Sequence, residues 1–185
     1  MIVAPDTGAM DRAIYYADAL GVDVGVFYKR RDFSKVVNGK NPIVEHKFLG
    51  SDVYGKDLII ADDMIASGSS ILEVATDMKK RGANKIYLVS TFPLFTEGEK
   101  SVKAFDNAYE QGIFHKLYTT NVTYVPQDIQ GKEWFKEVDC SKYLAKIINA
   151  IYERESIRGF LDGRTKISEK KKTLGKYPTK KMNDK

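Results

Sequence analysis

Two adjacent carboxylates and a run of small hydroxyl residues are the residues of this sequence best suited to chemistry. Asp62 and Asp63 follow the aliphatic residues 58–61, and the sequence SGSS at 67–70, the serine loop, precedes the next apolar pattern. Unpaired N–H groups and the dipole at a helix N-terminus favour a bound anion. The serine loop therefore predicts a phosphate site, although it lacks the glycine spacing and lysine of a Walker loop.

Two carboxylates beside a phosphate would repel it unless they bind another part of the same ligand. The vicinal hydroxyls of a ribose can donate to Asp62 and Asp63 while its 5-phosphate lies in the serine loop. Mg²⁺ is a second possible partner, because it prefers oxygen ligands and usually keeps several waters. A simpler alternative is that Asp63 or one serine caps the helix near Ile71. Capping requires only one oxygen, so the whole run favours a sugar-phosphate site.

Short apolar runs alternate with amphipathic stretches along the chain, which predicts an α/β domain with a mainly parallel sheet flanked by helices. In an open sheet of this kind, ligands bind beyond the carboxyl ends of the strands, where the two acids lie. The charged segment RRDFSKVVNGKNP before Ile43 predicts a long mobile loop. Strands are predicted at 2–4, 24–28, 43–49, 58–61, 85–91 and 117–120, and helices at 10–20, 71–78, 97–109 and 143–151.

The charge distribution divides the chain into a body and a tail. Residues 163–185 contain nine Lys or Arg and two acidic residues, a charge of +7, so the net charge of +5 leaves −2 for residues 1–162. The length fits one domain over 1–162, and the tail is expected to be disordered. Because the body has no basic stripe with interleaved aromatic residues, no nucleic-acid partner is expected.

Other features of the sequence favour an intracellular protein without a membrane-spanning segment. No apolar run approaches the roughly 20 residues that span a bilayer, and residues 1–10 lack the features of a secretory signal. The single cysteine, Cys140, fits a reducing cytoplasm. The two histidines, His46 and His115, are expected to be structural or solvated.

Several segments together resemble one enzyme family. ADDMIASGSS at 61–70 is similar to the phosphoribosyl pyrophosphate loop of type I phosphoribosyltransferases and ribose-phosphate pyrophosphokinases. APDTGAMDRA at 4–13 and YKRRDFSKVVNG at 28–39 resemble pyrophosphokinase segments, the second being their catalytic flexible loop. The resemblance covers about residues 2–161 and implies a phosphoribosyltransferase-like fold, corresponding to the C-terminal half of a long, divergent bacterial form.

The resemblance implies transfer of the pyrophosphoryl group of ATP to the 1-hydroxyl of ribose 5-phosphate, giving AMP and phosphoribosyl pyrophosphate. It implies Mg²⁺ as cofactor with Asp6 as a ligand, although capping of the helix containing Met10 is an equal alternative. Lys29 is then the catalytic cation, and Arg31 holds the transferring group. The implied substrate-binding residues are Asp62, Asp63, Ala66, Ser67, Gly68, Ser69 and Ser70. Ala66 stands where the family usually has Asp, which removes one acidic contact near the sugar.

The family also has an N-terminal half that contacts the ATP base and supplies a metal-binding histidine, and this sequence has no similar segment. We therefore expect the chain to bind ribose 5-phosphate but to form product slowly or not at all. A homo-oligomer is implied.

Two alternatives stay open. One is a free-standing phosphoribosyltransferase, for which no base-recognising hood is evident. The other is a noncatalytic regulatory subunit, which Ala66 favours and Lys29 and Arg31 oppose.

Overall fold

The computed structural model describes residues 1–31 and 43–174, and it describes the backbone alone at 29–31, 43–46 and 174. The described strands form one sheet in the order β3-β2-β1-β4-β5-β6-β7. Only β2 and β3 pair antiparallel, so the predicted mainly parallel sheet is confirmed. The strands are β1 (Ile2–Ala4), β2 (Val24–Arg31), β3 (Ile43–Leu49), β4 (Leu58–Ile65), β5 (Ile86–Pro93), β6 (Lys116–Thr120) and β7 (Phe135–Val138).

Helices connect most of the parallel strands. The first, α1, ends where Gly21 adopts φ +65, a left-handed conformation that glycine reaches without strain. No helix in the described ranges is long and apolar enough to cross a membrane. The helices are α1 (Met10–Leu20), α2 (Ser69–Lys80), α3 (Glu99–Glu110), α4 (Ser141–Tyr152), α5 (Arg158–Leu161) and α6 (Arg164–Leu174), with 3₁₀ turns at Thr7–Ala9 and Gln127–Ile129.

Both faces of the sheet are buried, as a parallel sheet requires. Successive residues of β1 point to opposite faces, so Ile2 packs in the cluster that contains Ala13 and Ala17 of α1. Val3 packs in the larger cluster, which contains residues of α2 and α3. Helix α1 and the pair α2 and α3 therefore cover opposite faces, and a ligand reaches the sheet at the strand ends.

Two segments differ from the sequence-based expectations. Strand β2 continues through Arg31, where a loop was predicted, and it pairs with β3 at Lys29↔His46. Residues 32–42, the rest of that predicted loop, lie outside the described residues. The second difference is α6, which occupies part of the segment predicted to be disordered.

Contacts with α1 hold α6 beside the body of the domain despite its charge. The Gly163 N–H donates to the Tyr15 hydroxyl at 3.1 Å, and the Arg164 guanidinium lies 5.0 Å from the centre of the Tyr15 ring. The Lys171 ammonium donates to the Leu20 carbonyl at the C-terminus of α1, where a positive charge is favourable. Residues 175–185 lie outside the described residues.

Candidate functional site

The two acids lie within β4, because this strand is longer than predicted and ends at Ile65. Asp62 Oδ1 accepts from the Asp63 N–H, and Asp63 Oδ1 accepts from the Met64 N–H, both at 2.8 Å. Ser90 of the neighbouring β5 donates to the Asp63 carbonyl at 3.1 Å. These bonds fix the strand end and leave Asp62 a second carboxylate oxygen that can face a ligand.

The environment of Asp62 makes its ionised form costly. The pKa of Asp62 is raised to about 6, chiefly by burial and also by the charges of Asp63 and Asp6, whereas the hydrogen bond from the Asp63 N–H acts in the opposite direction. A cation or a pair of hydroxyl donors would reduce this cost. Asp62 is therefore well suited to receive donors or a cation from a ligand.

The serine loop leads into α2 through Gly68, which has φ +82 and is the N-cap residue. Ser67 and Ser69 are linked through their hydroxyls at 3.0 Å, and the Ser69 N–H donates to Ser67 Oγ at 3.3 Å. The N-cap residue is a glycine and has no side chain to cap α2, but Ser67 Oγ accepts from the first N–H of the helix. The capping alternative is therefore met in part by Ser67, and the remaining N–H groups of the first turn can still meet an anion.

Backbone hydrogen bonds from the segment before α3 hold the residues at the start of the serine loop in place. The N–H groups of Phe95 and Thr96 donate to the carbonyls of Ile65 and Ala66, each at 3.0 Å. A Cβ at Gly68 would lie 2.3 Å from the ring of Phe105 in α3. Glycine is thus required at position 68 both by the backbone angle and by this close approach.

Asp62 and the serine loop share one cavity of about 120 Å³. Of the substrate-binding residues that the sequence nominated, Asp63 and Ser69 are not on its wall. Asp63 instead faces α1, where its Oδ2 lies 3.8 Å from Nη2 of Arg12. The cavity is lined by Asp6, Asp62, Met64, Ile65, Ala66, Ser67, Gly68, Ser70 and Ile71.

Asp6 is positioned by the turn that follows β1. Its Oδ1 accepts from the Ala9 N–H at 3.0 Å, so Asp6 caps the 3₁₀ turn, in line with the capping alternative. In the part of the chain that the structure describes, no group of three His, Cys, Asp or Glu side chains could hold a metal ion. Mg²⁺ commonly binds through one or two carboxylates together with substrate phosphates. Asp6 and Asp62, which line the same cavity, fit that mode of binding, and the metal role of Asp6 stays a prediction.

The nominated catalytic cations, Lys29 and Arg31, lie in β2, and their side chains fall outside the described residues. Their roles stay predictions.

Sequence reasoning missed Arg12, although it belongs to the PDTGAMDRA segment that carried part of the resemblance. Its position in the first turn of α1, directly after the turn that holds Asp6, is the signal that would have identified it.

A mainly parallel sheet with acids near the end of its central strand and a helix N-terminus beside them is typical of phosphoribosyltransferase-like α/β proteins. Residues 34–161 match the family model described as the phosphoribosyl synthetase-associated domain. The chain belongs to this family, and the resemblance identified from the sequence is confirmed.

Similar proteins include ribose-phosphate pyrophosphokinases from several organisms. The chain is 29% identical to the Wolinella succinogenes enzyme over 157 residues and 30% identical to the Vibrio parahaemolyticus enzyme over 158 residues, which in each case is 85% of this chain and 46% of the relative. The Thermococcus kodakarensis enzyme is 36% identical over 108 residues, 57% of this chain and 36% of that relative. The chain thus spans about half the length of the curated relatives it matches most fully.

The solved structures support the fold. The crystal structure of phosphoribosylpyrophosphate synthetase from Mycobacterium smegmatis matches with a TM-score of 0.65 at 23% sequence identity, covering 83% of this chain and 45% of that chain. At this level of identity the match supports the arrangement of strands and helices, and the predicted phosphoribosyltransferase-like fold is confirmed.

Proposed function

We propose that this chain is the ribose 5-phosphate-binding part of a ribose-phosphate pyrophosphokinase, acting in Mg²⁺-dependent formation of phosphoribosyl pyrophosphate and AMP from ATP. The observation that carries the proposal is one cavity that is lined both by Asp62 and by Ser67, Gly68 and Ser70 at the N-terminus of α2. The carboxylate suits sugar hydroxyls, and the hydroxyls and amides at the start of α2 suit a phosphate.

Each part of the site has a separate task in this proposal. Asp62 accepts hydrogen bonds from the ribose hydroxyls, which orients the sugar, and the amides and hydroxyls of residues 66–70 hold the 5-phosphate. Lys29 and Arg31 stabilise the negative charge on the transferring group. Catalysis then depends on positioning and on neutralising phosphate oxygens, since the chain needs no covalent intermediate.

The carboxylates of Asp6 and Asp62 are the residues that would hold Mg²⁺. Bound there, the ion would neutralise charge on the phosphate oxygens of the nucleotide and the sugar. The raised pKa of Asp62 supports this role, because a cation would stabilise the ionised carboxylate that burial disfavours.

The parts of the relatives that this chain does not span would supply what the reaction needs beyond this site, above all the binding of the ATP base. Residues 1–162 form the catalytic domain, ATP is the pyrophosphoryl donor, and the base of ATP is held by a second half or by another subunit of a homo-oligomer. The single Cys140 is consistent with a reducing cytoplasm as its setting.

Product formation tests the proposal directly. Incubated with ATP, ribose 5-phosphate and Mg²⁺, the chain alone is expected to form AMP slowly or not at all, and addition of the half of a relative that the chain does not span is expected to restore turnover. AMP is measured by chromatography. Rapid turnover by the chain alone would contradict the incomplete-enzyme proposal. Release of pyrophosphate from phosphoribosyl pyrophosphate on addition of a nucleobase would favour a phosphoribosyltransferase instead.

A further inference from the structure

Two apolar side chains are exposed beside the cavity, at the carboxyl ends of β4 and β5. Met64 and Phe92 are exposed to 46% and 36%, whereas the other apolar residues of these two strands are buried or half-buried. Phe92 is the residue of β5 that is paired with Met64, so the two side chains leave neighbouring strands side by side. We call Met64 and Phe92 the apolar rim.

The apolar rim is continuous with the proposed sugar-phosphate site. Met64 lines the same cavity as Asp62, Ser67 and Gly68, and Phe92 lies next to Met64 across the sheet. Small-molecule sites typically combine apolar surface with a few polar groups that fix the orientation of the ligand. Ribose 5-phosphate is polar throughout and would leave the rim unused. The rim is therefore suited to a ligand that carries a further, apolar group on the same sugar.

We propose that the apolar rim holds the base of a nucleoside 5′-monophosphate whose ribose and phosphate occupy the cavity. Such a nucleotide is ribose 5-phosphate with a planar base at C1, so the serine loop and Asp62 bind it as they bind the sugar phosphate. The base then stacks on the ring of Phe92 and packs against the flexible, polarisable side chain of Met64. The inference rests on the proposed function, and it makes AMP, a product of that reaction, a competitor of ribose 5-phosphate.

Calorimetric titration with AMP and with ribose 5-phosphate tests the inference. In the presence of Mg²⁺, the unchanged chain is expected to bind AMP roughly 5- to 100-fold more tightly than ribose 5-phosphate, the usual gain from stacking a base on an aromatic ring. Phe92→Ala should remove most of this difference and leave ribose 5-phosphate affinity nearly unchanged, whereas Phe92→Trp should retain the difference. Tyr152→Ala is the matched control, because Tyr152 is an exposed aromatic residue of α4 that does not line the cavity.

Competition shows whether the two ligands share the cavity. Saturating ribose 5-phosphate should weaken the apparent affinity for AMP, and Asp62→Asn should weaken the binding of both ligands by a similar factor, in contrast to Phe92→Ala. Met64→Ala is a second variant of the apolar rim, and thermal unfolding of each variant identifies losses due to misfolding. The inference would be overturned if ribose 5-phosphate bound without displacing AMP, or if AMP affinity were unaffected by both rim variants.

The outcomes also separate this inference from the proposed function. If ribose 5-phosphate binds and AMP binds no more tightly, the proposed function stands and the inference fails, as it would if the rim contacts the half of the relatives that the chain does not span. If AMP binding depends on both Phe92 and Asp62 while ribose 5-phosphate does not bind, the rim assignment stands and the proposed function fails. Binding of neither ligand contradicts both.

Discussion

Replacing Asp62 with Asn is expected to weaken ribose 5-phosphate binding by roughly 10- to 100-fold, because a neutral amide loses the charged acceptor that the sugar hydroxyls and Mg²⁺ require. The local structure should survive, since the Asn Oδ1 can still accept from the Asp63 N–H. In the unchanged chain, affinity should rise as the pH rises through about 6, where Asp62 ionises. Calorimetric titration at pH 5 and pH 8 measures both effects.

The same substitution should stabilise the fold at high pH. The pKa of Asp62 is about 6 in the folded chain, above its ordinary value of 3.8, so folding favours the protonated carboxyl. That contribution is complete below about pH 4 and is lost as the pH rises through about 6. At pH 8, Asp62→Asn should therefore raise the free energy of unfolding by on the order of 1 kcal/mol, allowing for solvent screening at this partly exposed site.

A suitable control for both measurements is Asp18→Asn, which alters an exposed carboxylate of α1 away from the cavity. It should leave ligand affinity unchanged. If Asp62→Asn left the ligand affinity unchanged, or lowered the stability at pH 8, Asp62 would be a structural residue. It would then not be a ligand acceptor whose ionised form destabilises the folded chain.

Replacing Gly68 with Ala is expected to lower the free energy of unfolding by about 2–4 kcal/mol and to abolish measurable binding of ribose 5-phosphate. Two effects combine. Gly68 has φ +82, which strains any other residue, and the added Cβ would meet the Phe105 ring at 2.3 Å. Relief of that overlap by a shift of the serine loop away from α3 would also move the first-turn amides of α2, to which the phosphate is assigned in the proposed function. Denaturant unfolding and calorimetry measure the two results.

Gly131→Ala is the matched control, because Gly131 has φ +80 and a Cβ there would have no neighbour within 4 Å. It should lower stability by only about 1 kcal/mol, the cost of the backbone angle alone. In the Phe105→Leu background, where a smaller side chain faces position 68, Gly68→Ala should cost less than in the unchanged chain. Equal costs for Gly68→Ala and Gly131→Ala would contradict the role assigned to the Phe105 contact.

The sequence predicted the sheet and the serine loop because both depend on local patterns. Alternating apolar runs and amphipathic stretches indicate parallel strands with helices on both faces, and the acids, glycine and hydroxyls of residues 62–70 are contiguous. The short strand β7 was not predicted, since FKEV has little apolar character and its place at the sheet edge comes from parallel pairing with β6. Likewise, α6 depends on contacts with Tyr15 and Leu20, which are about 150 residues away in the chain.

The sequence also did not predict that the two adjacent acids face opposite sides of the sheet. Asp62 and Asp63 were expected to act together on the ribose, as adjacent acids after a strand. The strand continues through both residues, so one carboxylate lines the cavity and the other pairs with Arg12. Arg12 itself is distant from the acids in the chain, and only the packing of α1 beside β1 brings it to Asp63.

Backbone amide NMR with ribose 5-phosphate tests the central claim most directly. The ligand is expected to shift the amide signals of Gly68, Ser69, Ser70 and Ile71 and to perturb Asp62 and Asp63, and free ribose, which lacks the phosphate, should leave the loop signals unchanged at the same concentration. Saturating ribose 5-phosphate that leaves residues 67–71 unperturbed, or that perturbs only residues elsewhere, would contradict the assignment of this cavity as the sugar-phosphate site.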